Sequence, residues 1–209
     1  MNEFKRRLVL GVALLLLAMP TAGFASPASA FKRYTAGKYE SALREYKRLL
    51  IEKPDDPRLH FNAGAAAFQV KDYEEALKHW THALATPDLQ LEEQVYYNLG
   101  NTHFRLGEEA KALEKKQAAW DEAIAQYDSA LKLNPNDQDA KFNLDLVKAK
   151  LEELKRARLE ADEMVRKRKY EKALKIMADE LGQREPTKDE AEYVKKLKDV
   201  VDIQNPDHP

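Results

Sequence analysis

The chain of 209 residues is 34% charged and 44% hydrophobic, with 35 basic against 36 acidic residues and a formal net charge of −1. That balance excludes a general electrostatic attraction to nucleic acid, while the apolar share suffices for a stacked helical core of single-domain size. Cysteine is absent, which excludes a lipidated-cysteine anchor, disulfides, thiolate metal sites and a cysteine nucleophile.

Lys5, Arg6 and Arg7 precede an apolar run from Leu8 to Met19, followed by Pro20 and a small-residue stretch ending at Ala30. This is the three-part pattern of a secretory signal, and the run falls short of the ~20 apolar residues a membrane span needs. The expectation is a periplasmic or secreted protein with no direct membrane insertion after signal cleavage; an N-terminal signal anchor is the alternative. Small residues permit cleavage after Ala25 or after Ala30. Cutting after Ala25 leaves Ser26 as a helix N-cap with Pro27 at the first helical position, so residues 1–25 are read as the signal. Its basic residues against Glu3 carry a net +2, leaving −3 for the remainder.

Residues 26–147 read as helical hairpins. The first spans about 27–52, with Gly37 at its turn and Pro54-Asp55-Asp56-Pro57 closing it. The second spans about 58–85 and turns at Lys71-Asp72. The third, about 91–133, has Gly107 at the expected turn, yet its second helix signature is delayed until Trp120 by about 11 helix-favouring residues, 108–118. These residues are expected to lengthen one helix outward by about three turns. A fourth unit opens at Asp139.

Residues 148–203 then depart from the hairpin length. Leu144, Val147, Leu151 and Leu154 are spaced at three and four and continue one helix past the stack. The apolar positions thin beyond Leu154, predicting a long helix that projects toward solvent, a turn near Arg168-Lys169, and a return helix to Leu181 stopped by Gly182. The basic run Arg166 to Lys169 reads as a solvated face. Thr187 with Glu190 is a capping box opening a last helix, whose Tyr193, Leu197, Val200 and Val201 cover the end of the stack. Residues 204–209 read as a flexible tail.

Two elements recur along this order. Phe61-Asn62-Ala63-Gly64, Tyr97-Asn98-Leu99-Gly100 and Phe142-Asn143-Leu144-Asp145 form one set; Tyr39-Glu40-Ser41-Ala42, Tyr73-Glu74-Glu75-Ala76, Trp120-Asp121-Glu122-Ala123 and Tyr170-Glu171-Lys172-Ala173 form the other. Tyr39 and Tyr73 are 34 residues apart and Gly64 and Gly100 are 36 apart, a period of stacked helix pairs. Glycine and alanine permit close helix crossings, and Tyr46, Trp80 and Tyr127, four after each alanine, fill the remaining volume.

On these residues the chain resembles the tetratricopeptide repeat family over 31–145, above all in Tyr97 to Gly107 and Trp120 to Asp137. With Lys141-Phe142-Asn143-Leu144 and the helix after it, it further resembles small exported repeat proteins of aerotolerance-type (Bat) operons. The resemblance implies an all-α superhelix of three to four hairpins with an extended helix pair and a C-terminal capping helix. It implies a concave groove lined by Arg58, Phe61, Asn62 and Phe68, by Tyr97, Asn98, Asn101, Phe104 and Arg105, and by Phe142, Asn143 and Leu146. It also implies a protein or extended-peptide partner, with a von Willebrand A-type membrane protein as candidate. An aromatic replaces the lysine that the family's carboxylate clamp places beside its first asparagine.

No catalytic constellation is visible, and no cofactor or metal is expected. Downstream of residue 25 the serines are Ser26, Ser29, Ser41 and Ser129, none in a nucleophile elbow, and no glycine loop cradles phosphate. His79 and His82, with Glu75 a turn earlier, have metal-ligand spacing but no further ligand nearby; His60 and His103 read as packing or groove residues. The alternative to groove binding is a structural or envelope-biogenesis role for the helix pair 151–181.

Overall fold

The computed structural model describes residues 25–166, 169–182 and 186–204, which form nine α-helices and no strand. Residues 1–24 of the signal, residues 167–168 of the basic run and turn, and residues 205–209 of the tail lie outside the described residues. Four helix pairs follow in order: α1 (Pro27–Thr35) with α2 (Tyr39–Glu52), α3 (Pro57–Gln69) with α4 (Tyr73–Ala83), α5 (Leu89–Glu109) with α6 (Leu113–Leu133), and α7 (Gln138–Arg166) with α8 (Tyr170–Leu181). A final helix, α9 (Lys188–Gln204), packs on α8.

Local chemistry sets the starts. Ser26 accepts from the Ser29 amide with Pro27 in the first turn, as its N-cap pattern predicts. Asp56, Asp88 and Asp137 each accept from two amides of the first turns of α3, α5 and α7, filling donors a helix start leaves unpaired. The two short turns share one backbone: Gly37 at φ +73° and Lys71 at φ +63°, one repeat apart.

The close crossings sit where the small residues predict them. A Cβ added to Gly64 would lie 2.6 Å from the Trp80 indole, and one on Gly100 2.6 Å from the Tyr127 ring. Glycine is therefore required there for space, with the aromatic of the partner helix filling the gap.

The third hairpin differs from its expectation. Gly107 is buried within α5, and the turn falls at residues 110–112. Both arms are lengthened, to 21 residues each against 13 and 11 in α3 and α4. Gly107 follows Gly100 by seven residues as Trp120 precedes Tyr127 by seven, so the same lock recurs two turns along an antiparallel pair. A Cβ on Gly107 would overlap the Trp120 indole.

The C-terminal unit also corrects the sequence reading. Leu144, Val147, Leu151 and Leu154 are buried as their spacing predicts, but α7 does not project into solvent beyond them. Ala161 is 1% exposed, and Leu113, Ala173, Met177 and Leu197 join the same apolar cluster. The lengthened hairpin, α7, α8 and α9 thus share one core. Gly182, at φ +58°, ends α8, and Thr187 and Glu190 form the reciprocal capping box of α9 at 2.9 and 3.3 Å. Leu197 is buried, with Tyr193 and Val194 packed against the cluster, while Val200 and Val201 are half-buried.

Candidate functional site

The leading helices α1, α3, α5 and α7 lie side by side; α1 touches α3, α5 touches α7, and residues of α3 and α5 together line an open cleft of about 330 Å³. Arg58, Phe61 and Asn62 supply one wall, and Gln90, Leu91 and Gln94 the other. Arg58 is exposed and approaches Asp88 at 3.5 Å. The Phe61 carbonyl accepts from the Trp80 indole nitrogen at 3.2 Å, which fixes α3 on α4 beneath the cleft. Asn98 donates to the Gln94 carbonyl of its own helix at 2.9 Å.

Asn101 and Asn143 meet across the gap between α5 and α7. The Asn101 side-chain oxygen accepts from the Tyr127 hydroxyl at 2.7 Å and from the Asn143 amide at 3.1 Å, and the same Asn143 amide reaches the Tyr97 hydroxyl at 3.3 Å. Three helices are thereby tied by one polar cluster. Burial pushes the Tyr127 hydroxyl pKa well up, with the neighbouring Tyr97 adding to it, so Tyr127 remains a donor at neutral pH.

Beside this cluster Phe142 is 68% and Leu146 38% exposed, one turn apart on α7. Two further aromatics of the set, Phe68 and Phe104, pack against rings of the partner helices. Phe68 lies 5.4 Å from the Tyr73 ring and 5.8 Å from Trp80, and Phe104 stacks on Trp120 at 6.4 Å with Lys150 5.9 Å from its centroid. Arg105 is exposed and lies 6.0 Å from the Phe104 ring. Of the residues named from the sequence, Arg58, Phe61 and Asn62 line the cleft, Arg105, Phe142 and Leu146 are exposed, Phe68, Tyr97, Asn101, Phe104 and Asn143 make internal contacts, and Asn98 bonds its own helix.

A second polar cluster, which the sequence did not reveal, lies between α3 and α4. His60 Nε2 is 2.7 Å from the Pro54 carbonyl, and His60 Nδ1 is 3.0 Å from His79 Nδ1. A carbonyl only accepts, so His60 donates from Nε2 and accepts at Nδ1 from His79. His79 Nε2 then faces Glu75 at 3.4 Å, within ion-pair distance but with no hydrogen bond. Burial lowers the His79 pKa to about 4, and the Lys47 hydrogen bond leads the effects holding Glu75 low. His82 stacks on His60 and bonds the Lys78 carbonyl. Among the described residues no group of three or more His, Asp or Glu side chains is placed to hold a metal. His60 and His79 are 19 residues apart, as are Phe61 and Trp80, so the hairpin register was the signal that would have paired them.

The tetratricopeptide repeat profile matches residues 33–88 and 115–173. The chain belongs to the tetratricopeptide repeat (TPR) family. Similar solved structures include the first TPR of Spaghetti (RPAP3) bound to an HSP90 peptide, at 24% identity over 59% of this chain and 88% of that one, with a TM-score of 0.51. The TPR protein TTC0263 of Thermus thermophilus is 18% identical over 82% and 96%, with a TM-score of 0.52. MamA is 20% identical over 85% and 96%, with a TM-score of 0.50. At these identities the likeness is one of fold. A search of curated proteins gives no match. The cleft between α3 and α5 and the exposed Phe142–Leu146 pair on α7 all lie on the leading helices of their hairpins.

Proposed function

We propose that this chain is a non-enzymatic adaptor, exported across a membrane, that holds an extended segment of a protein partner in its groove. The observation that carries the reading is the exposure of Phe142 and Leu146 on a groove helix beside the Asn101–Asn143 cluster. Large apolar side chains beside fixed amides suit a peptide that buries a side chain while its backbone finds hydrogen-bond partners. The RPAP3 repeat of similar fold holds an HSP90 peptide, which makes a peptide the occupant to test first. An apolar or neutral segment suits this groove better than a carboxylate terminus, because Phe61 stands where the clamp lysine would be.

Export rests on the charged, apolar and small-residue order of residues 5–25 and on the fitness of Ser26 and Pro27 as a helix start. The resemblance to exported proteins of aerotolerance-type operons makes a von Willebrand A-type membrane protein of an envelope complex the partner to examine first. The test is photo-crosslinking from position 142 in the cell envelope, with mass spectrometry of the adduct. Adducts at 142 but not at an exposed control on a trailing helix outside residues 151–181, such as Glu74, support the groove. Adducts confined to probes within 151–181 favour the helix pair as the working surface.

A further inference from the structure

We propose that Glu45 is the receptor for a new amino terminus at Ser26, so that processing completes the first hairpin. The inference rests on the export reading and adds to it a residue that recognises the cut end. Glu45 lies on α2 and is only 7% exposed, an uncommon place for a carboxylate. Ser26, Ser29 and Arg33 of the N-terminal segment converge on it. The Ser26 backbone N–H reaches Oε1 at 3.3 Å, and Arg33 Nε reaches Oε2 at 2.5 Å. Burial alone would raise its pKa, yet hydrogen bonds from Ser29, Arg33 and Ser26 and the Arg33 charge hold it below the ordinary carboxylate value. The acceptor is therefore ionised at neutral pH.

In the uncut chain the atom facing Oε1 is an amide nitrogen with one hydrogen and no charge. Hydrolysis of the Ala25–Ser26 bond by a peptidase adds hydroxide from water to the Ala25 carbonyl carbon and a proton to the departing nitrogen. The amine takes a further proton from solvent. The nitrogen that stood 3.3 Å from Oε1 then carries three hydrogens and a positive charge. A cation at the start of a helix opposes the backbone dipole of α1, and a buried carboxylate at that point offsets it. The Ser26 side chain still accepts from the Ser29 amide, so the cap is kept. Cutting after Ala30 would instead delete Ser26, Ser29 and the fully buried Ala30, leaving Glu45 with Arg33 alone.

The test uses a chain beginning at Ser26, which keeps the nine helices of the described residues. Its α-amine is acylated across a pH series and the product read by mass spectrometry. The expected apparent pKa is about one unit above the ordinary ~7.7 to 8.0, which slows acylation at pH 7 about tenfold. Glu45→Gln abolishes the shift and Arg33→Gln retains it. A chain with one glycine ahead of Ser26 moves the amine by up to ~3.6 Å without touching any side chain, and it titrates normally. Equal acylation rates with and without that glycine overturn the proposal whatever the cell does with the precursor. N-terminal sequencing of the exported protein separates the other failures: a start at Phe31 removes Ser26 and with it this role, whereas a start at Met1 leaves the signal in place as an anchor and overturns the cleavage on which the proposal rests.

Discussion

The Glu190 carboxylate accepts a hydrogen bond from the Leu113 backbone N–H at 3.0 Å, joining residues 77 apart in sequence. Its other oxygen closes the capping box of α9. One 7% exposed side chain therefore caps two helices, and Ala112, the N-cap residue of α6, supplies no side-chain cap of its own. The residues inserted into the third hairpin and the last helix of the chain are parts of one structure.

Glu190→Ala should destabilise the protein by about 2 kcal/mol, because a lost cap costs ~0.5 to 2 kcal/mol and a buried N–H without a partner adds to it. Thermal melts would measure the loss, and hydrogen exchange would locate it. Faster exchange at Leu113 as well as in the first turn of α9 is expected. If only α9 loosens, the link between the two helices contributes nothing.

The two tryptophans that lock against glycines should respond differently to phenylalanine. Trp80 Nε1 donates to the Phe61 carbonyl, whereas Trp120 Nε1 is buried among the described residues with no hydrogen-bond partner. Trp80→Phe orphans nothing but forfeits a hydrogen bond of ~1 kcal/mol along with ring volume. Trp120→Phe loses similar volume and sheds an unsatisfied donor, so its melting temperature should fall less. The reverse order would show that the Trp120 nitrogen is satisfied in solution.

Lys71→Gly should raise stability by about 0.5 to 1 kcal/mol. An L-residue in the left-handed region costs roughly 1 to 2 kcal/mol, from which glycine's greater freedom in the unfolded chain subtracts. Gly37, at the equivalent turn, supplies the control, since Gly37→Lys should destabilise by a like amount. Denaturant unfolding of both variants measures the pair.

The repeats, their period and the glycine crossings could be read from the sequence because each depends on spacing within one or two helices. Gly107 could not. Local chemistry marks glycine as a turn, and only the position of Trp120 on the facing helix makes it a crossing. Ala161 was missed for a related reason: a lone alanine among charges carries no apolar signal, and its burial follows from where α8 returns. Asn62, Asn98, Asn101 and Asn143 look alike in sequence, but the Tyr127 hydroxyl from a third helix draws Asn101 and Asn143 into internal bonds. That partner is set by tertiary packing rather than by the repeat. Substituting Asn101 is accordingly a test of stability before it is a test of binding.

Two groups give opposite pH trends. His79 has its pKa lowered by burial from 6.5 to about 4, so the chain takes up a proton there on unfolding and loses stability as pH falls from about 6.5 to about 4. Burial first, then the hydrogen bond and charge of Asp137, push Glu93 from 4.5 to about 7. Glu93 takes up a proton on folding, and its neutral form favours the fold increasingly as pH falls from about 7 to about 4.5. His79→Asn, which keeps a donor where Nδ1 lies, should flatten the acid side of a melting-temperature profile. Glu93→Gln should raise the melting temperature at pH 8 and leave it nearly unchanged at pH 4. Parallel profiles for wild type and His79→Asn between pH 6.5 and 4 would rule out His79 as the source of acid lability.

The groove reading turns on Phe142 and Leu146, whose removal separates binding from folding. Both are exposed and lie on the helix face opposite the buried Leu144, Val147 and Leu151, so truncating them creates no cavity. Phe142→Ala with Leu146→Ala should leave the melting temperature within the ~0.5 kcal/mol expected of surface changes. Against a partner identified by crosslinking, the double variant should weaken binding by at least ~2 kcal/mol, the loss of one interface anchor, or about thirtyfold in Kd. Isothermal titration with the partner segment would measure it. Asn101→Ala should show the converse pattern, a lower melting temperature as the Tyr127 and Asn143 groups lose their acceptor. Unchanged affinity in the double variant, with affinity lost on charge reversal along 151–181, would move the site off the groove and onto the outer faces of α7 and α8.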